Sequence, residues 1–280
     1  MGRKPMPRSL DCEPQGTLMP TISLPDGDLY YQLDGPQSAP VLLLSNSLGT
    51  RLSMWDAQIP ALAEHFRVLR YDTRGHGQSL VSAGPYTIEQ HGRDVLTLLD
   101  ALGIRQADFC GLSMGGLIGQ WLLLNAPQRL RRVVLCNTAA KIASPEVWNP
   151  RIEAVLRDGC PAMLALRDAT ISRWFTPRFA ETQPGQVNRL VEMLASTSPA
   201  GYAANCAAVR DADFREQIAA VRLPVLVICG AQDPVTTVAD GDFLVNAIKG
   251  AKGVVLSAAH LSNMEASQAF TAAVVDFLLS

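Results

Sequence analysis

Short apolar runs alternate along the chain with stretches in which apolar residues recur at helical spacing. Residues 88–103, IEQHGRDVLTLLDALG, are a clear helical stretch, with apolar side chains at 95, 98, 99 and 102. Most of the short runs are apolar throughout, which is typical of strands that are covered on both faces. Alternating strands and helices predict an α/β fold with a mostly parallel, doubly wound sheet. The predicted strands are LYYQL (29–33), VLLLSN (41–46), FRVLRYD (66–72), ADFCGLS (107–113), RVVLCN (132–137), PVLVICG (224–230) and GVVLSAA (253–259).

The alternation is interrupted in one long segment, residues 139–215. This segment contains helical patterns such as EVWNPRIEAVLRDG and PGQVNRLVEMLAS and has no strand-like run. We interpret residues 18–138 and 216–280 as the core and residues 139–215 as an all-helical insertion between two strands. Such an insertion starts at the carboxyl end of the sheet, where open α/β sheets bind ligands. It is therefore predicted to form a cap over the functional site.

The composition is that of a globular protein. The chain has 280 residues, of which 48% are hydrophobic and 18% charged, and its formal net charge is -2. It has no basic surplus and no apolar run near the roughly 18 residues of a membrane span. We therefore expect neither a nucleic-acid partner nor a membrane partner. Composition leaves the number of subunits open.

The N-terminus and the cysteines favour a cytoplasmic location. Residues 1–17 are basic at the start and rich in Pro and Gly, but they lack the apolar stretch of a secretory signal, so we interpret them as a flexible extension. Of the six cysteines, Cys110, Cys136 and Cys229 lie inside apolar runs, and no C-x-x-C pair occurs. This pattern favours buried free thiols over disulfides or a metal site.

One serine stands in a pattern typical of a nucleophile. Residues 111–115, Gly-Leu-Ser-Met-Gly, match G-x-S-x-G between a predicted strand and a predicted helix. The glycines suit a sharp turn, because neighbouring chain segments there leave no space for side chains. The alternative is an ordinary tight turn. The flanking strand and helix favour Ser113 as the nucleophile.

A serine hydroxyl is a weak nucleophile unless a base accepts its proton, and the chain has four histidines that could do so. His91 lies within a predicted helix and His65 just before a strand, so both are interpreted as solvated or packed. His76 lies in a turn after a strand and is a second candidate. His260 follows the last predicted strand at the carboxyl end of the sheet. It is the preferred base.

The remaining groups of a serine hydrolase also have candidates. Asp233 follows a strand and precedes His260, and an acid there would orient the imidazole and stabilise its protonated form. The other position for an acid, at the end of RVVLCN, holds Asn137. Two backbone N–H groups are needed to bind an oxyanion, and we assign them to Met114 and Leu48.

These motifs together resemble the α/β-hydrolase superfamily over residues 18–280. More narrowly, the sequence resembles the 3-oxoadipate enol-lactonases of bacterial aromatic catabolism. Most superfamily members have His-Gly where this chain has Asn46-Ser47. The broad resemblance rests on residues 111–116 and 72–79, on Asp233 and on His260; the narrower one rests on residues 45–50, 54–56, 146–149, 173–177, 230–234 and 259–263.

The resemblance implies cofactor-free hydrolysis of a small cyclic enol ester to 3-oxoadipate through an acyl-enzyme. Such a substrate carries a free carboxylate, and an apolar pocket must supply a donor for it. The candidates are Trp148 and Arg51, which we place first, followed by Arg151 and Arg173 in the cap. Each of these side chains also has a plain structural alternative, either packing or a solvated surface.

Three other functions fit the same pattern. A hydrolase of carbon–carbon bonds in ring-cleavage products uses the same three residues and a helical cap, and a broad esterase or perhydrolase uses the same core. A small-molecule receptor or scaffold could use the fold without catalysis. A scaffold has no need of Ser113, Asp233 and His260 in functional order, which favours an enzyme.

Overall fold

A computed structural model of the protein describes residues 20–280. The predicted flexible extension at residues 1–17 lies outside these residues. The described chain contains one eight-stranded sheet with the order β1-β2-β4-β3-β5-β6-β7-β8. The strands are β1 (Thr21–Leu24), β2 (Gly27–Asp34), β3 (Val41–Ser45), β4 (Arg67–Tyr71), β5 (Ala107–Leu112), β6 (Leu130–Cys136), β7 (Val225–Gly230) and β8 (Lys252–Leu256).

The strands from β3 to β8 pair in parallel, whereas β1 and β2 add an antiparallel edge. The mostly parallel sheet predicted from the apolar runs is therefore confirmed. The central strands β5 and β7 are buried along their whole length, as expected for strands covered on both faces.

Twelve α helices occur in residues 20–280, and three short 3-10 helices accompany them. The α helices are α1 (Ile59–Leu62), α2 (Ile88–Ala101), α3 (Met114–Asn125), α4 (Pro145–Asp158), α5 (Cys160–Ala165), α6 (Arg167–Trp174), α7 (Pro177–Thr182), α8 (Pro184–Ala195), α9 (Pro199–Asp211), α10 (Val238–Ala247), α11 (Ser262–Glu265) and α12 (Ser267–Leu279). The 3-10 helices are Leu52–Trp55, Pro127–Arg129 and Ile218–Ala220.

Strand β1 has no counterpart among the predicted strands. It pairs with β2 through a two-residue turn, in which Leu24 faces Gly27 and Pro25-Asp26 form the tip. Gly27 has φ of +141°, a conformation that glycine adopts readily. The signal was present in the sequence as Pro-Asp-Gly between two short runs typical of strands, a common turn pattern.

Strand β8 differs from its prediction in burial. The run GVVLSAA suggested a strand covered on both faces, but β8 lies at the edge of the sheet and Val255 is 53% exposed. An edge strand has a neighbour on one side alone, so apolar residues in it need not be buried.

Six helices, α4 to α9, lie between β6 and β7, within the segment predicted as the cap. Helix α9 is the most buried of them and packs against α4. It also contacts the loop after β4, where the Asn205 Nδ2 donates to the Arg74 carbonyl at 2.9 Å. The cap is therefore attached to the core beside the loops at the carboxyl end of the sheet.

Residues 20–280 contain no helix that is long and apolar enough to cross a membrane. They also contain no disulfide. Cys110, Cys136 and Cys229 are buried free thiols, as expected from their positions in apolar runs.

Two histidines that were not preferred as the base are completely buried. Burial lowers the pKa of His76 to about 4. Burial also lowers the pKa of His91, to about 3, and the positive charge of Arg74 acts in the same direction. Both side chains are therefore neutral at physiological pH.

We expect these two histidines to destabilise the protein in mild acid. An unfolded chain protonates histidine near pH 6.5, whereas the folded protein keeps both neutral down to about pH 4. The unfolded state therefore binds more protons in this window, and the free energy of unfolding falls by about 2 kcal/mol per histidine between pH 7 and pH 5. Urea unfolding at both pH values measures the loss. His91→Phe should halve it, and a loss unchanged by that substitution would contradict the interpretation. Replacing the exposed His65 with Gln should leave it unchanged.

Candidate active site

The chain turns sharply at Ser113, between the end of β5 and the start of α3. Ser113 has φ of 58° and ψ of -113°, a conformation rare for a residue with a side chain. A Cβ atom at Gly111 would lie 2.2 Å from the Gly115 carbonyl oxygen, and one at Gly115 would lie 2.2 Å from the Ser45 carbonyl oxygen. Glycine is therefore required at both positions, and the turn has the strand–turn–helix geometry that the motif predicts.

The imidazole of His260 is bound to a carboxylate from the neighbouring loop. His260 Nδ1 lies 2.8 Å from Asp233 Oδ2, and both residues are buried. Because a carboxylate accepts, Nδ1 carries the proton and Nε2 is free to accept one. His260 follows β8 and Asp233 follows β7, so adjacent parallel strands bring the two loops together.

Two further side chains bind the carboxylate of Asp233. The Asn137 amide donates to Oδ2 at 3.0 Å and the Thr236 hydroxyl donates to the same oxygen at 2.7 Å. Burial alone would raise the pKa of Asp233, but the neighbouring His260 and these hydrogen bonds lower it to about 2. Asp233 is therefore a carboxylate at neutral pH, held in one orientation beside the imidazole.

Ser113 and His260 line the same cavity, which has a volume of about 320 Å³. This is within the usual size of a small-molecule site. Among residues 20–280, no side chain forms a hydrogen bond with Ser113 Oγ, so the hydroxyl faces the cavity unpaired. The hydrogen bond between a nucleophile and its base is often long in the free enzyme and becomes shorter when substrate binds. The cavity is lined by Ser47, Leu48, Ser113, Ile142, Ala143, Val147, Trp148, Arg151, Thr170, Arg173, Trp174, Tyr202, Val209, Pro234, Val235 and His260.

Two backbone N–H groups near Ser113 are available to an oxyanion. Met114 is the first residue of α3, so its N–H has no acceptor within the helix. Leu48 lies in the loop after β3 and lines the cavity, and its N–H has no backbone acceptor in the described part of the chain. The start of a helix also favours negative charge. The two groups suit the developing charge of an acyl-transfer reaction.

Comparison with known proteins identifies the family of this chain. Residues 40–267 match a family described as the alpha/beta hydrolase fold. The chain belongs to the α/β-hydrolase family.

Among its relatives in this family are two enol-lactonases of Acinetobacter baylyi. 3-Oxoadipate enol-lactonase 2 is 48% identical over 91% of this chain and 94% of its own length. 3-Oxoadipate enol-lactonase 1 is 43% identical over 86% of this chain and 90% of its own length. The crystal structure of the enol-lactonase from Burkholderia xenovorans LB400 has a TM-score of 0.91 and 49% identity, covering 93% of this chain and 100% of that one. The predicted resemblance to enol-lactonases is therefore confirmed.

The four residues considered for substrate binding differ in whether they line the cavity. Arg151 and Arg173 line the cavity of this α/β hydrolase. Arg51 is exposed and is not among the residues that line the cavity. Its predicted contact with the substrate has no support from the cavity lining and stays a prediction.

Trp148 lines the cavity with its ring, and its role as a donor to substrate stays a prediction, since its indole N–H has a partner within the protein. The indole Nε1–H donates to the Ile142 carbonyl at 2.8 Å. A buried indole N–H needs a partner, and the turn into α4 supplies one within the protein. The Arg151 guanidinium lies over this ring, 5.0 Å from its centroid. Trp148 therefore shapes the cavity and supports Arg151.

His76, the second candidate for the base, has a different position. Its Nε2 accepts the Gly49 N–H at 2.8 Å, while its Nδ1 lies 3.0 Å from Thr73 Oγ1. Gly49 follows Leu48, so this buried, neutral imidazole holds the loop that carries the candidate oxyanion donor. Asp72 supports the same loop by accepting the Leu52 N–H at 2.7 Å.

The sequence singled out the turn at residues 72–79 but did not indicate which loop it holds. Nor did it show that Asn137 binds Asp233 and that the Ser262 hydroxyl donates to Asn137. The signal for Asn137 in the sequence was its position at the end of RVVLCN, where a hydrolase can carry its acid.

We expect the side chains of Ser113, Asp233 and His260 to act as one catalytic unit. Ser113→Ala and His260→Ala should each lower kcat on 4-nitrophenyl acetate by several orders of magnitude, because each removes a step that the others need. Asp233→Asn should cost somewhat less. Circular dichroism checks that the variants fold, and a serine-directed phosphonate should label the wild type and not Ser113→Ala. An unlabelled Ser113 in folded wild-type protein would indicate a scaffold instead of an enzyme.

We also expect the role of His76 to depend on its ability to accept the hydrogen bond of the Gly49 N–H. His76→Leu leaves the Gly49 N–H unpaired and should lower kcat about tenfold or more, since one misplaced oxyanion donor costs about 10²–10³ when lost completely. His76→Gln retains an acceptor at a similar reach and should recover most of the rate. Steady-state kinetics of both variants measure this, with KM nearly unchanged. Equal kcat in the Leu and Gln variants would contradict the assignment.

Proposed function

We propose that this α/β hydrolase opens 3-oxoadipate enol-lactone to 3-oxoadipate. The activity named for its Acinetobacter and Burkholderia relatives supports this substrate. The observation that carries the proposal is that two arginines without an anionic partner in the described residues line the same cavity as Ser113 and His260. An enol lactone with a free carboxylate could present its carboxylate to the arginines of the cap and its ester carbonyl to Ser113 of the core.

The two arginines have no anionic partner of their own. Within residues 20–280, neither Arg151 nor Arg173 forms a salt bridge, and no Asp or Glu is among the residues that line the cavity. Burial and the positive charge of Arg151 lower the pKa of Arg173. The two like charges therefore oppose each other until an anion enters. A substrate carboxylate between them would relieve this repulsion and accept hydrogen bonds from both.

The core side of the cavity, which faces the two cap arginines, contains the groups for acyl transfer. Ser113 Oγ attacks the lactone carbonyl carbon while His260 Nε2 accepts the hydroxyl proton. The tetrahedral oxyanion is bound by the N–H groups of Leu48 and Met114. Asp233 stays ionised and stabilises the imidazolium, as its low pKa allows.

Collapse of the tetrahedral intermediate breaks the bond between the acyl carbon and the ring oxygen. His260 donates its proton to the departing enol oxygen, and an ester with Ser113 remains. Water then attacks this ester with His260 as the base, and the carboxylate product leaves while Ser113 recovers its proton. The released enol tautomerises to the ketone without help from the protein. The leaving group is good, so the main contributions of the protein are positioning and activation of the nucleophile.

The direct test is hydrolysis of 3-oxoadipate enol-lactone by the purified protein. We expect kcat/KM on this lactone to exceed that on 4-nitrophenyl acetate and on a ring-cleavage diketone. Faster turnover of the diketone would assign the protein to the carbon–carbon bond hydrolases. Equal rates on neutral and acidic esters would favour a broad esterase.

We expect the arginine pair to decide the preference for acidic substrates. Arg173→Met and Arg151→Met should each lower kcat/KM on the enol lactone by about 10- to 100-fold, the equivalent of about 1.5 to 3 kcal/mol for a hydrogen bond to a charged group. Both should change the rate on 4-nitrophenyl acetate by little. Arg51→Met removes one charge outside the cavity and is the matched control. A loss in the Arg51 variant equal to those in the cap variants would show that the overall charge, and not a contact, attracts the substrate.

A further inference from the structure

Glu265, at the end of α11, receives hydrogen bonds from two separate parts of the molecule. Its Oε2 accepts the Ala259 N–H at 3.0 Å and the Thr176 N–H at 3.2 Å. Its Oε1 accepts the Thr176 hydroxyl. Ala259 lies in the loop of His260, and Thr176 lies in the cap between α6 and α7. Within residues 20–280 Glu265 forms no salt bridge, so these donors are the partners of its carboxylate.

The loop of His260 is bound to the cap on both sides of the histidine. On one side, Ala259 is linked to the cap through Glu265. On the other side, the Leu261 N–H donates to the Trp174 carbonyl at 3.0 Å. The cap segment 174–176 thus holds the residues immediately before and after His260.

The same cap segment continues directly from Arg173. Arg173 is in the last turn of α6, lines the cavity and is followed by Trp174, whose carbonyl binds the loop of His260. Arg173, the side chain proposed to bind the substrate carboxylate, is therefore adjacent in the chain to the segment 174–176 that holds the base.

We propose that Glu265 is a positioning residue that joins the His260 loop to the cap, so that occupation of Arg173 by a substrate carboxylate sets the position of the base. The inference rests on the proposed role of Arg173. It predicts that preference for acidic substrates appears in kcat as well as in KM, because a correctly placed base changes the rate of the bound complex.

The first test measures the position of the base without the lactone. Glu265→Leu leaves the N–H groups of Ala259 and Thr176 unpaired, and we expect it to lower kcat on 4-nitrophenyl acetate about tenfold with little change in KM. Glu265→Gln offers an oxygen to both N–H groups, and its amide can donate to the Thr176 hydroxyl, so it should stay within about twofold of the wild type. Proton NMR should show the hydrogen-bonded Nδ1–H signal of His260 retained in Glu265→Gln and broadened in Glu265→Leu.

Two controls separate positioning from a general loss of stability. Glu89→Leu removes a carboxylate from an exposed ion pair on α2 and should leave kcat and the Nδ1–H signal unchanged. Thr176→Val removes the hydroxyl contact of the cap with Glu265, together with the N-cap of α7 that the same oxygen provides to the Phe179 N–H. It should cause a smaller loss of kcat in the same direction as Glu265→Leu, whereas Thr176→Ser keeps both contacts and should match the wild type. Thr176→Val also tests the inference if Glu265→Leu does not fold, since the Ala259 contact with Glu265 is retained.

The second test measures the coupling itself. On the enol lactone, Arg173→Met should lower kcat at least threefold more in the wild-type background than in the Glu265→Leu background, because the link to the base is absent in the latter. Equal effects in both backgrounds would overturn the coupling. Unchanged kcat and Nδ1–H signal in folded Glu265→Leu would overturn the positioning role. If the wild type does not hydrolyse the lactone, the proposed function fails, while the ester kinetics and the NMR signal still decide whether Glu265 positions His260.

Discussion

The close approach of β5, α3 and the end of β3 around Ser113 is the constraint on which the site depends. There is no space for a side chain at Gly111 or Gly115, and Ser113 itself is held at a positive φ. The same approach allows the Gly115 N–H to donate to the Asn46 carbonyl at 3.0 Å. The start of α3 and the loop after β3 are thereby fixed to each other. Packing of the backbone alone therefore holds Ser113 close to the two candidate N–H donors of Leu48 and Met114.

Charge is distributed unevenly around this turn. The carboxylate of Asp233 is buried behind His260 and bound by it, so it is absent from the cavity lining. The positive charges of Arg151 and Arg173 lie in the cap without anionic partners in the described residues. The cap side of the cavity is therefore cationic, whereas no charged carboxylate lines the core side. This asymmetry is the physical reason to propose an anionic lactone and not a neutral ester as the substrate.

His76, His91 and His260 show how far partners decide the role of a residue. All three are buried, yet His260 has a carboxylate partner, whereas His76 accepts a backbone N–H and His91 packs edge-on against Tyr86. The sequence placed His260 and His76 on loops after strands, which made both candidates for the base. The contact between His76 and Gly49 joins loops separated along the chain, and no local pattern specifies it. The same limit applies to Glu265, whose partners come from the cap and from the loop of His260.

The apolar runs by themselves indicated the mostly parallel sheet and the position of the helical insertion along the chain, because burial on both faces leaves a continuous apolar pattern. They also determined that Ser113, Asp233 and His260 follow strands, and the carboxyl ends of parallel strands meet at one edge of a sheet. The tertiary structure alone decided that Arg173 faces the cavity while Arg51 faces solvent. Side-chain direction and the choice of hydrogen-bond partner depend on contacts between distant segments, and these arise only when the cap packs on the core.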